Sequence, residues 1–358
     1  MGIDPGTKSF DVCGMDDGKV FLDKSLSTRE VSRRPEVLTQ TLKLAGPLDC
    51  IVGPSGYGLP PKIIAQLTGA EERLTRLVRP DDEEMKKRSP IALGKVIKHL
   101  RATTLPVYLI PGVKHLPTVP PHRKVNRIDM GTPDKVCSVA LAIHDEARRL
   151  GVQYSETSFI LVEVGWGFTA VLGVEHGTIV DGIGGAEGAM GFQSFGGLDA
   201  EVAYLLGGFS KRTLYKGGVV SVAGLKRPSV NKLVKGLASH ERCRWAWDAW
   251  LEATAKDVAA IALSTPHARE VLLSGRMKRN PHVSRELTKK LAQFGTVTVV
   301  QGFATHAKEA AQGACLLANG FVGGKYKPLL DILQLKKAEN VLLDYIYVDE
   351  LKSRVRRN

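Results

Sequence analysis

The chain contains the same β-hairpin pattern twice, once at its start and once near its middle. In the first copy a short apolar strand ends in the turn 4–9, Asp-Pro-Gly-Thr-Lys-Ser, and two further strands follow as far as Leu22. In the second copy the apolar run 159–164 ends in a Gly-x-Gly turn and continues in two strands to Asp181. Apolar runs bounded by glycine turns are typical of a β-meander. Two copies in one chain indicate a duplicated fold whose halves begin alike.

Each hairpin opens a longer stretch of alternating helices and strands, which is typical of an α/β fold. Only Met1 to Ile3 precede the first turn, so either the sheet tolerates a very short opening strand or the natural start lies further upstream. Thr132 and Pro133 predict that a helix begins there and continues to Leu150. The predicted organisation is a first domain at 1–132, a connecting helix at 133–150, a second domain at 151–319 and a C-terminal segment at 320–358 that packs back on the first domain.

Charge and cysteine content narrow the classes of partner and compartment. Lys and Arg number 50 against 37 acidic residues, and the net charge of +13 suits anionic ligands such as nucleotides, acyl phosphates or nucleic acid. The basic residues are scattered without a long arm, so we do not expect specific nucleic-acid binding. The 5 cysteines contain no Cys-x-x-Cys pair and suggest neither disulfides nor zinc. With no leader and no membrane-length apolar run, the sequence predicts a cytoplasmic protein without membrane contact and leaves a homo-oligomer open.

The glycine turns of the two hairpins are candidate phosphate sites. Backbone N–H groups in such a turn can approach phosphate oxygens because no Cβ stands in the way. Asp4 ends the first strand and is placed to hold Mg²⁺ through water, and Glu163 has the corresponding position in the second copy. The predicted nucleotide-binding residues lie in these turns, beside them, or in a third glycine turn after an apolar strand, and are Gly6, Thr7, Lys8, Ser9, Gly165, Gly167, Thr169, Gly275 and Arg276.

The most distinctive stretch is 129–135, Asp-Met-Gly-Thr-Pro-Asp-Lys, at the start of the predicted helix. Asp129 and Asp134 beside a helix N-terminus, with Lys135 adjacent, could position or deprotonate a nucleophile and balance the charge of a transferring phosphoryl group. If the acceptor is already a carboxylate, no base is needed, and the acids would serve Mg²⁺ or orientation instead. The structural alternative is that Asp134 favours the helix dipole and Asp129 caps the turn. The preceding basic loop, with Arg123 and Asn126, could grip an anionic substrate.

Three motifs, in this order, resemble those of the superfamily of sugar kinases, acetate kinase, Hsp70 and actin. Asp4 to Ser9 resembles its first phosphate motif, Glu163 to Thr169 the second, and Leu272 to Arg276 the adenosine motif. The helix start at 310–315 is similar to the one that follows the nucleotide loop in these kinases. The resemblance extends from Met1 to about Asn319. It implies two tandem ribonuclease H-like, or actin-like ATPase, domains of the α/β class that bind ATP and Mg²⁺ in a cleft between them.

Within that superfamily, segment 123–135 and the layout of the whole chain resemble an archaeal family of predicted butyrate kinases. Segment 188–199 is similar to the acetate kinase sequence Met-Gly-Thr-Arg-Ser-Gly-Asp-Leu-Asp, and this similarity implies that Gln193 and Ser194 contact the substrate. Two positions depart from the pattern. Gln193 stands near where that sequence has Arg, and Glu163 replaces the more usual Asp of the second phosphate motif. Because acetate kinases grip the acyl phosphate with arginines, the first departure bears on the acceptor.

The sequence thus predicts an ATP- and Mg²⁺-dependent phosphotransferase, a kinase, for a small anionic or hydroxylated acceptor. The resemblance implies a short-chain carboxylate such as butyrate. Catalysis would come from positioning, charge neutralisation and domain closure. The main alternative, which Glu163 and Gln193 favour, is a nucleotide-dependent binding or regulatory protein of the same fold that phosphorylates no acceptor. A nucleic-acid-associated protein is supported by net charge alone.

Overall fold

The computed structural model describes residues 1–53, 56–78, 93–208 and 210–351, and the chain divides into two units. The first unit comprises Met1–Thr157, His176–Val180 and the chain from Val300 onward, and the second comprises Ser158–Glu175 and Asp181–Val299. Each unit contains one β-sheet with helices packed against it. Among the described helices, none is long and apolar enough to span a membrane.

The strands and helices of the described residues follow in chain order. The strands are β1 (Gly2–Pro5), β2 (Ser9–Asp16), β3 (Lys19–Ser27), β4 (Ile51–Val52), β5 (Gly58–Ile63), β6 (Val107–Pro111), β7 (Phe159–Val164), β8 (Thr169–Glu175), β9 (Thr178–Ile183), β10 (Glu270–Ser274) and β11 (Thr296–Val299). The helices are α1 (Thr28–Arg33), α2 (Glu36–Lys43), α3 (Gly69–Arg76), α4 (Leu93–Arg101), α5 (Pro121–Lys124), α6 (Pro133–Leu150), α7 (Ala200–Leu206), α8 (Val219–Val222), α9 (Val230–Gly236), α10 (Glu241–Ala262), α11 (Pro281–Leu291), α12 (Glu309–Phe321) and α13 (Lys327–Ile332).

The sheet of the first unit has the strand order β3-β2-β1-β4-β6-β5. Strands β1, β2 and β3 form the antiparallel meander expected from the sequence, and β4 and β6 extend the sheet in parallel to β1. The register places Asp4 of β1 directly opposite Asp11 of β2. Because paired residues of neighbouring strands project side by side on one face, two carboxylates are brought together here.

Alternation along β2 decides which face receives Asp11. Phe10 and Val12 point into an apolar cluster with Leu38 of α2 and Ile97 of α4, and all four side chains are buried. Since successive residues of a strand face opposite sides of the sheet, Asp11 points the other way, as does Cys13. Cys13 packs in a separate buried cluster with residues of α12. The carboxylate of Asp11 therefore lies on the face of the sheet that α12 covers.

Two glycines allow α12 to lie unusually close to its neighbours. A Cβ on Gly2 of β1 would stand 2.2 Å from the carbonyl oxygen of Ala311, and a Cβ on Gly313 of α12 would stand 1.7 Å from the carbonyl oxygen of Cys137 in α6. Only a residue without a side chain fits either contact. The helix is thereby held against β1 and α6, and its N-terminus reaches the end of β1 where the first glycine turn begins.

The second unit holds most of a sheet of order β11-β10-β7-β8-β9, in which β7 and β8 are antiparallel and β10 and β11 run parallel to β7. Helix α10 covers one face through Trp247 and Trp250, which are buried beside Val171 of β8. The strand–turn–strand pattern predicted from 159 onward is therefore present. Gly275 follows β10 directly, as the third predicted glycine turn.

The unit boundaries differ from the predicted domain boundaries. We expected the second domain to extend to 319, but the second unit ends at Val299, and α12 belongs to the first unit because it packs on β1 and α6. The helix predicted at 133–150 is α6, which is also part of the first unit. The sequence also predicts a helix near Ile91 to Leu100; α4 begins at Leu93 among the described residues, and the first two predicted positions lie outside them.

Candidate functional site

Three charged side chains meet beside the first glycine turn. Lys308, immediately before α12, donates a hydrogen bond to Asp4 Oδ2, and its Nζ lies 3.2 Å from Asp11 Oδ2. Asp4 and Asp11 are 5% and 0% exposed, and the Lys308 side chain is 14% exposed. Ser9 adds a hydroxyl that donates to Asp11 Oδ2 at 3.1 Å. One buried ammonium group therefore bridges two buried carboxylates that the sheet register has placed opposite each other.

Burial dominates the electrostatics of this group. Burial raises the pKa of Asp4 to about 6; the charge of Lys308 opposes this shift, and the nearby acids Asp134 and Asp11 add to it. Burial by itself would lower the pKa of Lys308, but the charges of Asp4 and Asp11 raise it above its usual value. The lysine is therefore held in its charged form, and Asp4 is close to its titration range near neutral pH.

Gly6 is required by the same cluster. A Cβ at this position would stand 2.5 Å from Lys308 Nζ and 2.9 Å from the carbonyl oxygen of Ser9. The turn is fixed from both sides, since Gly6 N–H donates to Asp4 O at 3.1 Å and the Thr28 hydroxyl donates to Gly6 O at 2.7 Å. The predicted phosphate turn is thus directly adjacent to a buried cation, whereas Thr7 in the turn is half-buried and Lys8 is exposed.

The acids predicted to be catalytic lie at the N-terminus of α6. Lys135 Nζ donates to Asp134 Oδ2 at 2.7 Å, and the Thr132 hydroxyl donates to Asp134 Oδ1. Burial would raise the pKa of Asp134, but Lys135 and Thr132 hold it below its usual value. Asp129 Oδ1 accepts a hydrogen bond from Gly131 N–H at 3.2 Å. Asp134 is consequently ionised and engaged, which suits charge balance or orientation better than proton abstraction.

The loop predicted to grip the substrate binds the chain's own backbone. Arg123 donates to Val180 O at 2.8 Å. Asn126 is engaged twice by the C-terminal segment, since its N–H donates to Tyr345 O at 2.8 Å and its Oδ1 accepts from Tyr347 N–H at 2.7 Å. Asn126 has positive φ, which fits a turn residue. Both side chains therefore have structural partners, and their substrate role stays a prediction.

The glycine turn of the second unit is closed by the loop 188–197. The carbonyl oxygen of Gly167 accepts from the N–H groups of Gln193 and Ser194 at 3.1 and 3.0 Å, and Gln193 Nε2 donates to Trp166 O at 3.0 Å. A Cβ on Gly191 would stand 2.1 Å from the same Gly167 oxygen. Gln193 and Ser194, predicted to bind substrate, thus hold the turn that carries Gly165 and Gly167.

Thr169, predicted to offer its hydroxyl to a phosphate, is committed to the protein interior. Its Oγ1 donates to Met190 O at 3.3 Å and accepts from Trp250 Nε1 at 3.0 Å, and the residue is 1% exposed. A threonine hydroxyl has one proton, so none remains for a phosphate oxygen in this arrangement. Glu163, the predicted second metal ligand, is buried at the end of β7 opposite Ala170.

Gly275 is explained by packing within its own unit. Its φ is +91°, and a Cβ would stand 2.5 Å from the carbonyl oxygen of Val164 at the end of β7. Gly275 is one of the predicted nucleotide-binding residues, but a side chain here would collide with the backbone of β7 before it could affect a nucleotide. Arg276 follows half-buried in a short 3₁₀ turn. The glycine is therefore needed for the structure whether or not a nucleotide binds.

Asp11 and Lys308 are not among the residues predicted from the sequence, although both belong to the charged group. A signal for Asp11 is present, because continuing the hairpin pairing outward from the turn places it opposite Asp4. A signal for Lys308 is its position at the start of an Ala-rich helix, where a positive charge is unfavourable to the helix dipole and needs a partner. The carboxylate oxygens of Asp4 and Asp11 are donors of the type that Mg²⁺ prefers, and Asp11 Oδ1 is buried without a hydrogen-bond partner among the described residues. The pair therefore fits a magnesium site.

Solved structures define the fold to which these sites belong. The chain is similar to a propionate kinase from Francisella tularensis (14% identity, 87% of this chain and 97% of that one, TM-score 0.63). It is also similar to acetate kinases from Porphyromonas gingivalis (16% identity, 87% and 97%, TM-score 0.58) and Entamoeba histolytica (14% identity, 82% and 86%, TM-score 0.57). The chain therefore has the actin-like ATPase fold with two ribonuclease H-like α/β domains, as predicted.

A family model matches almost the whole chain and defines its family within this fold. The chain belongs to the family described as "Protein of unknown function (DUF1464)", whose model matches residues 2–348. No curated protein matches the sequence. The resemblance to predicted butyrate kinases stays a prediction.

Proposed function

We propose that this protein is an ATP- and Mg²⁺-dependent phosphotransferase that acts on a small acceptor, with a short-chain carboxylate such as butyrate as the first candidate. The observation that carries the proposal is the buried group of Asp4, Asp11 and Lys308 at the first glycine turn. The kinase fold of the similar structures is consistent with it. The carboxylate acceptor is supported by the sequence resemblance alone.

A purely structural role explains the charged group poorly. Two like charges opposite each other on neighbouring strands are destabilising, and a buried ion pair is often no more stable than apolar residues of similar size. Here three charges are desolvated together, and Asp4 is left with a raised pKa. Clusters of this kind occur most often where a ligand or a reaction needs them. Phosphate groups and Mg²⁺ are the ligands that match one lysine, two carboxylates and a glycine turn.

The chemistry required of these residues is positioning and charge balance. The turn at Gly6 would offer backbone N–H groups to phosphate oxygens, and Lys308 would offer a fixed positive charge beside them. Asp4 and Asp11 would hold Mg²⁺, which neutralises phosphate charge during transfer. Asp134, ionised and paired with Lys135, would orient an acceptor or the groups around it. A carboxylate acceptor needs no base, so the low pKa of Asp134 is compatible with it.

A second candidate is a nucleotide-dependent binding or regulatory protein of the same fold. The observation that favours it is the engagement of the predicted acceptor loop by the chain itself, through Arg123 and Asn126. Gln193 stands near the sequence position where the acetate kinase segment has arginine, and it is likewise bonded to the neighbouring turn. In this case ATP would bind at the glycine turns, and no acceptor would stimulate its consumption.

The test is ADP release with ATP, Mg²⁺ and a panel of carboxylates, sugars and polyols. A carboxylate kinase forms an acyl phosphate, which hydroxylamine traps as a hydroxamate, whereas a phosphorylated hydroxyl gives no hydroxamate. Asp4→Asn serves as the control, because it removes a proposed metal ligand while keeping the shape of the side chain. Stimulated ADP release that Asp4→Asn abolishes supports the proposal. ATP binding without stimulation by any acceptor would favour the regulatory protein.

A further inference from the structure

Lys308 occupies the position that a divalent cation would need. Its Nζ donates to Asp4 Oδ2 and lies 3.2 Å from Asp11 Oδ2, so one ammonium group covers an oxygen of each carboxylate. We infer that Lys308 closes this carboxylate pair to divalent cations while no nucleotide is bound, and that the metal enters together with the phosphates that draw the lysine away. The second statement, that the metal enters together with the phosphates, rests on the proposed function.

The ammonium group and a metal ion cannot share these oxygens at low cost. A cation at the pair would stand within a few ångströms of Lys308 Nζ, in a region where both acids are buried. Water does little to screen repulsion at such a site, so the lysine and the metal compete. The space is also restricted, because Nζ lies only 2.5 Å from where a Cβ of Gly6 would stand, so the ammonium group is packed against the turn. The lysine has to move before a metal binds with both carboxylates.

The position of Lys308 allows that movement. The residue precedes α12, so its charge lies at the positive end of the helix dipole and is held there by the carboxylates rather than by the helix. Its stem has four flexible carbons, and its side chain is 14% exposed. A phosphate at the Gly6 turn would present more negative charge than Asp11 does and would accept the same ammonium protons. The lysine then bonds the phosphate and uncovers the carboxylates.

The test measures Mn²⁺ binding to the full chain without nucleotide, by electron paramagnetic resonance or calorimetry. Lys308→Met keeps the length of the side chain and removes its charge, and we expect it to bind Mn²⁺ at least about tenfold more tightly than the wild type. The matched control is Lys62→Met, which removes a lysine bonded to Glu71 at 2.7 Å in the same unit, and it should bind as the wild type does. Equal Mn²⁺ affinity of Lys308→Met and the wild type would overturn the inference.

A second variant locates the new metal site. Adding Asp11→Asn to Lys308→Met removes one carboxylate and should cancel the gain in Mn²⁺ affinity. A double variant that keeps the gain would place the metal elsewhere and also overturn the inference. If Lys308→Met does not fold alone, because two acids are left buried together, its circular dichroism is followed with excess Mg²⁺. Recovery of the native spectrum supports the inference, and no recovery counts against it.

These outcomes are independent of the phosphotransferase proposal. Lys308→Met could bind Mn²⁺ more tightly while the wild type releases no ADP with any acceptor. This result would support competition between Lys308 and the metal and would contradict the proposed phosphotransferase activity. Conversely, an acceptor could stimulate ADP release by the wild type while Lys308→Met binds Mn²⁺ no more tightly. This result would support the phosphotransferase activity and would contradict competition between Lys308 and the metal.

Discussion

Replacing Asp4 with Asn should stabilise the protein at neutral pH, although the change removes one partner of an ion pair. Burial, reinforced by the neighbouring acids and only partly offset by Lys308, raises the pKa of Asp4 from 3.8 to about 6. The ionised carboxylate is therefore less favourable in the folded chain than in the unfolded chain. Each pH unit between the two pKa values is worth about 1.4 kcal/mol. Ionised Asp4 therefore lowers the stability of the folded chain by up to about 3 kcal/mol. A neutral Asn at this position does not have this cost.

The sign of the pH dependence follows from the raised pKa. Between the unfolded value of 3.8 and the folded value of about 6, the folded chain binds a proton at Asp4 that the unfolded chain has lost. Stability from protonated Asp4 is fully present below the lower value and is lost as the pH rises through the upper one. The wild type should thus lose up to about 3 kcal/mol relative to Asp4→Asn across this range, and the two proteins should be similar at the acid end.

Urea unfolding at a series of pH values between about 4 and about 7 measures this difference. Asp331→Asn is the control, because it also neutralises an aspartate bonded to a lysine, Lys327, but at an exposed position. An exposed pair of this kind contributes at most about 1 kcal/mol. The reasoning would be refuted if Asp4→Asn were less stable than the wild type at neutral pH and the pH profile were unchanged. Lys308 would then stabilise the ionised acid more than burial destabilises it.

Three further predictions concern the other site residues. Gly275→Ala should cost at least about 2 kcal/mol of unfolding free energy, because its φ is +91° and its Cβ meets backbone, whereas Gly151→Ala, in the left-handed helical region with φ +69° and open space, should cost about 1 kcal/mol; equal losses would contradict the packing argument. Thr169→Val should cost about 1–3 kcal/mol in urea unfolding by leaving Trp250 Nε1 without its acceptor, and Thr169→Ser should not. Asp129→Asn should lower acceptor-stimulated turnover on the order of 10²-fold or more at unchanged ATP affinity, and equal turnover would make that stretch structural.

The hairpins and the helix at 133–150 could be predicted because their signals are local. Glycine turns between apolar runs define β1 to β3 and β7 to β9, and Thr132 with Pro133 marks the start of α6. That α12 belongs to the first unit could not be predicted in the same way. It depends on close contacts of Gly2 and Gly313 with backbone far away in the sequence, and a glycine in a strand or helix does not reveal which partner requires it.

The site could be predicted only where a motif carries it. Asp4 and Gly6 lie in a recognisable turn, and both are in the charged cluster. Lys308 is separated from Asp4 by 304 positions and joins the turn only through the packing of α12. Asn126 shows the opposite case: a polar residue in a basic loop suggested a ligand, its observed partner is the backbone of the C-terminal segment, and its substrate role stays a prediction. Residue type and loop position do not distinguish the two.

The two glycine turns have the same sequence pattern but different chemistry. At the first, Asp4 and Lys308 are charged, buried and in direct contact with the turn, so substitutions there should change metal binding and pH dependence. At the second, the carbonyl of Gly167 and the hydroxyl of Thr169 are already bonded within the unit, so substitutions there should act first on stability. Because a phosphotransferase needs countercharge as well as backbone donors, the first turn is where loss of activity should occur without loss of fold.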